Sequence, residues 1–117
     1  MNIAEISKSG EIFKIKDNNI QWKSKVKIKD GNYKLGIRPH NITTYKEGDN
    51  SVEINGKVLI SELSGSESLI HFTNGKLNWV SLSNGIQQKN IGEDTKLFMN
   101  IDEFLYFDTN NRLVTNG

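Results

Sequence analysis

At 117 residues and a formal net charge of +1, the chain is the size of one domain with a modest core, and its near-neutrality argues against a dedicated polyanion binder. It contains no cysteine, which excludes a disulfide framework and thiolate metal sites. No apolar run reaches membrane-spanning length and the start lacks the apolar stretch of a signal peptide, so a soluble, cytoplasmic protein is expected.

Short β-like runs punctuated by Asn, Asp and Gly predict an all-β barrel or sandwich. Met1-Asn2-Ile3 reads as a boundary. Glu11–Lys16 reads as a strand with Phe13 and Ile15 on one face and Ile12 on the other. Asp17-Asn18-Asn19 is a turn signal, and Ile20–Trp22 returns as a second strand. From there Lys23, Lys25, Lys27 and Lys29 alternate with Val26 and Ile28, so one face is expected wet and the other buried. Residues 1–34 carry eight lysines against four acids, whereas 35–117 carry seven basic residues against ten acids. Solvated lysines guarding an edge explain this most simply, and a partner-facing surface is the alternative.

Asp30-Gly31-Asn32 turns the chain into a strand over Tyr33–Arg38. Pro39, the one proline, fixes its own φ, donates no hydrogen bond and pushes Arg38 towards an extended conformation, so the strand should stop there. Thr43–Asn50 reads as a loop and Ser51–Leu63 as a long strand-like run in which Asn55-Gly56 is, by itself, a hairpin signal. Leu69–Thr73 and Lys76–Leu82 flank Asn74-Gly75, the strongest hairpin signal in the chain. Ser83–Gly92 reads as a loop, Thr95–Met99 as a strand and Ile101–Phe104 as one helical turn. Leu105–Asp108 then leads into a last hairpin around Asn110-Asn111.

Three segments carry a resemblance. Leu35-Gly36-Ile37-Arg38-Pro39-His40 resembles a Leu-Gly-Ile-Arg-Pro-Glu-His pattern. Gly65-Ser66-Glu67-Ser68-Leu69-Ile70-His71 resembles Gly-Ser-Glu-Thr-Leu-Val-His. The run from Gly92-Glu93 through Leu105-Tyr106-Phe107-Asp108 to Arg112-Leu113 resembles a Gly-Glu…Leu-His-Leu-Phe-Asp…Gly-Arg-Arg-Leu close. Each is short, but their order and spacing together are similar to the C-terminal accessory (TOBE) domain of ABC-importer ATPases of the maltose, multiple-sugar and glycerol-3-phosphate type.

That resemblance implies one OB-like (TOBE/MOP-like) barrel of short antiparallel strands over 1–117, with N-terminal strands in 1–34, the family-like core in 35–117 and at most one short helical turn. It implies a strand continuing through a kink or bulge at Asn55-Gly56, and this is the expectation adopted. It also implies a piece of a longer subunit whose ATPase domain, with its ATP and Mg, precedes Met1. The partners implied are a second accessory domain in a homodimer, the chain's own ATPase domain, two permease subunits at the inner face of the membrane and, in some members, a regulatory protein. Related domains bind small oxyanions, so oxyanion or sugar binding is the alternative function.

No catalytic, cofactor or metal site is expected on this chain. Gly56-Lys57 and Gly75-Lys76 lack the upstream glycine and following Ser or Thr of a phosphate loop. Leu63-Ser64-Gly65-Ser66-Glu67 is superficially like an ABC signature, but its flanks are strand-like and the second glycine is missing. The residues singled out for interaction or structure are Arg38, Pro39, His40, Glu67 and His71. The Arg38 guanidinium could clamp a carboxylate, with Glu67 the named partner, or simply tie the barrel together. His40 stands where the family pattern has Glu, and His71 reads as a satisfied barrel residue rather than a ligand. A third reading, single-strand nucleic-acid binding by the lysine row with Trp22 and Phe13, is set against an aromatic content of 9% and a nearly neutral chain. No nucleic-acid partner is expected. Asn41-Ile42-Thr43 matches a glycosylation sequon and reads as chance.

Overall fold

The computed structural model describes residues 1–16, 18, 20–46, 48–84 and 89–116. The Asp17 and Asn19 positions of the first turn signal, and 85–88 of the Ser83–Gly92 loop, lie outside the described residues. The elements in order are β1 (Asn2–Ser9), β2 (Ile12–Ile15), β3 (Gln21–Lys23), β4 (Gly31–Ile37), β5 (Ile42–Thr43), β6 (Ser51–Ser64), β7 (Glu67–Asn74), β8 (Leu77–Asn84), β9 (Asp94–Asn100), β10 (Leu105–Phe107) and β11 (Leu113–Asn116). Every strand pairing is antiparallel. A curled six-stranded sheet runs β11-β10-β4-β1-β2-β3, and a five-stranded sheet runs β5-β9-β6-β7-β8. The fold is all-β and OB-like, as expected. The helical turn expected at Ile101–Phe104 is a 3-10 turn over Ile101–Glu103, and a further 3-10 turn follows β4 at Pro39–Asn41.

Sequence patterning finds neither the short β5, whose Thr43 reads as loop, nor β1. The inward positions of β1 are Asn2, Ala4, Ile6 and Lys8, so two of the four are polar and the period-two signal is masked. Asn2-Ile3 is therefore not merely a boundary: β1 lies in the middle of the six-stranded sheet, between β4 and β2. The Asn2 side-chain amide then acts like one peptide unit of a neighbouring strand. Its Nδ2 donates to the Val80 carbonyl at 2.8 Å and to the Ile37 carbonyl at 3.2 Å, and its Oδ1 accepts from the Val80 N–H at 2.8 Å. One side chain thus ties β4 in one sheet to β8 at the edge of the other.

β6 does run on through Asn55-Gly56. Its first half, Ser51–Lys57, pairs with β9, and its second half, Lys57–Ser64, pairs with β7. The bulge falls between Val58 and Ile60, downstream of the glycine. Gly56 serves a different end: a β-carbon there would overlap the ring edge of Phe72, so the glycine lets that ring lie across the strand.

The core is continuous from sheet to sheet and includes Ile6, Phe13, Leu35, Ile54, Phe72, Trp79, Leu97 and Tyr106. Phe13 stacks on Trp22 at 5.6 Å between centroids, Phe104 meets Trp22 edge-on at 5.1 Å, and Tyr106 lies 5.0 Å from Phe13. Such ring pairs contribute about 0.5–1.5 kcal/mol each beyond the area they bury. The Trp22 N–H reaches the Tyr106 hydroxyl, which brings β3 and β10, near opposite edges of the six-stranded sheet, against one another.

Candidate functional site

The segment around Pro39 behaves as the sequence predicts. β4 ends at Ile37, and Arg38 is extended with φ −70° and ψ 142°. Pro39 then opens the 3-10 turn, closed by the Asn41 N–H on the Arg38 carbonyl at 2.9 Å. The turn packs on β8. Leu35, Gly36 and Ile37 are buried, whereas the Arg38 and His40 side chains are exposed. A β-carbon on Gly36 would come within 2.7 Å of the Phe107 ring, so this glycine also makes room for an aromatic neighbour.

Gly65, with φ +62°, turns β6 into β7, and Glu67 is the first residue of β7 and exposed. On β7, Ser68, Ile70 and Phe72 face inward. His71 therefore faces outward, opposite Ile60 and Val80 on the flanking strands, and is half-buried there rather than inside the barrel. Its Nε2 lies 3.9 Å from the Glu62 carboxylate, with both side chains open to water. That attraction operates only when the imidazole is protonated and is small at such exposure.

In the closing segment, Gly92 has φ +83° and donates to the Val58 carbonyl at 2.8 Å. The β10–β11 hairpin is organised by Asp108, whose Oδ1 accepts from the Asn110 N–H at 2.9 Å and the Arg112 N–H at 3.0 Å, while Asn111 takes φ 64°. Asp102 and Glu103 sit in the first turn of the 3-10 segment, which Asn100 caps through the Asp102 N–H, so this acidic pair is explained by local structure.

Two of the three family-like segments meet: Leu35 pairs with Tyr106 and Gly36 with Leu105. The third, at Gly65–His71, belongs to the other sheet. Among the described residues no ion pair joins Arg38 to Glu67, and neither belongs to any other ion pair. No group of three or more His, Asp or Glu residues suited to a metal occurs among the described residues.

The lysine row is exposed as expected, with Val26 and Ile28 half-buried behind it. After β3 the segment 24–29 joins neither sheet. Trp22 is 5% exposed and Phe13 0%, so neither offers a face for a stacked base. Asn41 of the sequon is buried, which fits the reading of that match as chance.

Sequence reasoning passed over one polar contact of the first sheet. Lys8 is buried, and its ammonium meets Asp30 Oδ1 at 3.0 Å; the Gly10 N–H donates to the same oxygen at 3.0 Å. The Lys8 hydrogen bond, then the Gly10 N–H, hold the Asp30 carboxyl below the usual carboxylate range. Burial pushes the Tyr106 hydroxyl above its ordinary value, against the opposing effect of its hydrogen bonds with Trp22 and Ser24.

No helix among the described residues is long and apolar enough to cross a membrane. No protein-family model matches the chain, and comparison with curated proteins finds no significant match.

Proposed function

We propose that this domain is a non-catalytic accessory module of the ATP-binding subunit of an ABC importer for sugars or glycerol 3-phosphate, self-associating with a second copy. The observation that carries the reading is the ordered set of three family-like segments on an antiparallel all-β barrel, two of them in register on neighbouring strands. In such a subunit, ATP and Mg belong to the preceding ATPase domain, and this barrel adds a second contact between the two halves. Linking the halves twice raises the effective concentration of each ATPase domain for its twin. The exposed Arg38 and His40, carried on a stiff turn, and Glu67, at a hairpin end, are the groups through which the barrel would meet its twin or a regulatory protein, below the membrane's inner face.

The test is the coding sequence adjoining Met1 together with the behaviour of the isolated chain. A phosphate loop and signature motif in the same frame, no ATP turnover by the isolated chain, and concentration-dependent dimers in sedimentation are expected. Absence of the ATPase motifs overturns the reading, and a strictly monomeric chain at millimolar concentration removes its dimer part.

A further inference from the structure

We infer that residues 24–29 form an open strand edge that receives an extended, acidic segment of a partner protein. The inference is independent of the accessory-module reading. Along this segment Ser24, Val26 and Ile28 are half-buried, and Lys25, Lys27 and Lys29 are exposed. The main-chain donors of the half-buried set are taken: Ser24 N–H by the Glu11 carbonyl, Val26 N–H by Ser24 Oγ and Ile28 N–H by the Val26 carbonyl, a three-residue turn centred on Lys27 that leaves that residue's own N–H and carbonyl on its outer side. Among the described residues, the N–H groups of Lys25, Lys27 and Lys29 and the carbonyls of Lys25 and Lys27 have no hydrogen-bond partner. Alternate residues of an extended chain aim these groups to one side, so they form a row that a second strand could pair with.

The charges select the occupant. Lys23 lies 3.7 Å from Glu11, but Lys25, Lys27 and Lys29 are in no ion pair among the described residues. Lysines spaced roughly 6–7 Å apart along an edge repel a basic strand, gain no compensating charge from a neutral one, and favour one with a carboxylate at every second residue. The nearby acids are engaged: Asp30 with Lys8 and Gly10, and Asp108 with the turn amides of Asn110 and Arg112.

There is also room. An open surface depression of about 610 Å³ is lined by Lys27, Ile28, Lys29, Tyr33, Asp108 and Val114 of β11. β11 is an edge strand of the six-stranded sheet, and β3, whose continuation this segment is, is the opposite edge. A strand in the depression would thus lie at the seam of the half-barrel.

The test is amide NMR of the ¹⁵N-labelled chain titrated with a short capped peptide alternating glutamate and threonine. Saturable shifts at Lys25–Lys29 and Val114 are expected, with amide exchange at Lys25, Lys27 and Lys29 slowed about tenfold or more. A lysine–threonine peptide should give none of this. The combined Lys25→Glu, Lys27→Glu and Lys29→Glu variant should reverse the preference between the two peptides. Exchange that stays unchanged at peptide saturation overturns the inference. So does equal binding of polyphosphate or a single-stranded oligonucleotide, which would make the segment a diffuse polyanion surface. Both of these results are read on the unsubstituted chain, so they stand even if the variant does not fold.

Discussion

The indole N–H of Trp22 donates to the hydroxyl of Tyr106 at 3.2 Å, inside the aromatic cluster that joins the two flanks of the curled sheet. Tyr106→Phe keeps the ring packing and leaves the Trp22 N–H buried without that acceptor. The expected cost is about 1–3 kcal/mol, read as a lower urea midpoint. The raised Tyr106 hydroxyl adds a pH signature. Folding holds the neutral form, so its contribution is complete below the ordinary tyrosine value of 10.0 and is lost as pH rises from there through the folded value. Thermal melts of the unsubstituted chain should fall on the alkaline side, and the Tyr106→Phe variant should fall less steeply. Parallel slopes would contradict the assignment.

Gly56→Ala places a methyl group against the Phe72 ring. Because φ at Gly56 is not in the left-handed region, the penalty is steric and should be about 1–3 kcal/mol. Phe72→Leu in the same chain should cost less in the Gly56→Ala background than alone. A double-mutant cycle measures this, and additive effects would show that the ring does not fill that space.

Asn2→Ala should destabilise by about 2–3 kcal/mol, since it deprives both main-chain groups of Val80, and the Ile37 carbonyl, of the same partner. Asn2→Asp keeps an acceptor for the Val80 N–H but sets a carboxylate against two carbonyls. It should be no better than alanine in chemical denaturation.

The Lys8–Asp30 contact contributes to acid behaviour. Its carboxyl is depressed in the folded chain, so its stabilisation is present above the ordinary carboxylate value of 3.8 and is lost as pH falls through the lower folded value. Asp30→Asn should lower the melting temperature near neutral pH and flatten the acid limb of the melting profile. An acid limb of unchanged slope would assign the dependence to other carboxylates.

Arg38→Ala should leave stability within about 0.5 kcal/mol, because the side chain is exposed and forms no ion pair among the described residues. A weaker dimer in sedimentation with an unchanged melt would place Arg38 at a partner contact. A large stability loss would make it a tie within the barrel.

Much of the fold could be read from the chain because its punctuation is local. The hairpin expected at Asn74-Gly75 formed, with its turn one residue later at Gly75-Lys76, Pro39 ended β4, and Phe13 and Ile15 went inward while Ile12 stayed out. What escaped depended on long-range neighbours. Asn2 and Lys8 are polar residues in core positions, acceptable there only because Val80, Ile37 and Asp30 arrive from elsewhere in the chain. The outward aim of His71 follows from the β7 register, with Ile70 and Phe72 inside. The lysine alternation correctly signalled which side chains are wet, but beyond Lys23 no strand forms, because period two alone does not supply a neighbouring strand.

The central place of β1 has a consequence for synthesis. Within this domain, the strand made first is the one that ends in the middle of a sheet, and its partners β2 and β4 are complete once Ile37 is added. An early four-stranded sheet in the order β4-β1-β2-β3 is therefore expected on the nascent chain. The Asn2 clamp must wait for Val80 and the indole for Tyr106, so the apolar side of this early sheet stays uncovered until the last hairpin emerges. Chains stalled after Asn41 should be digested rapidly by protease while chains stalled well past Gly117 resist. Equal resistance at both points would mean that the first strands need no cover.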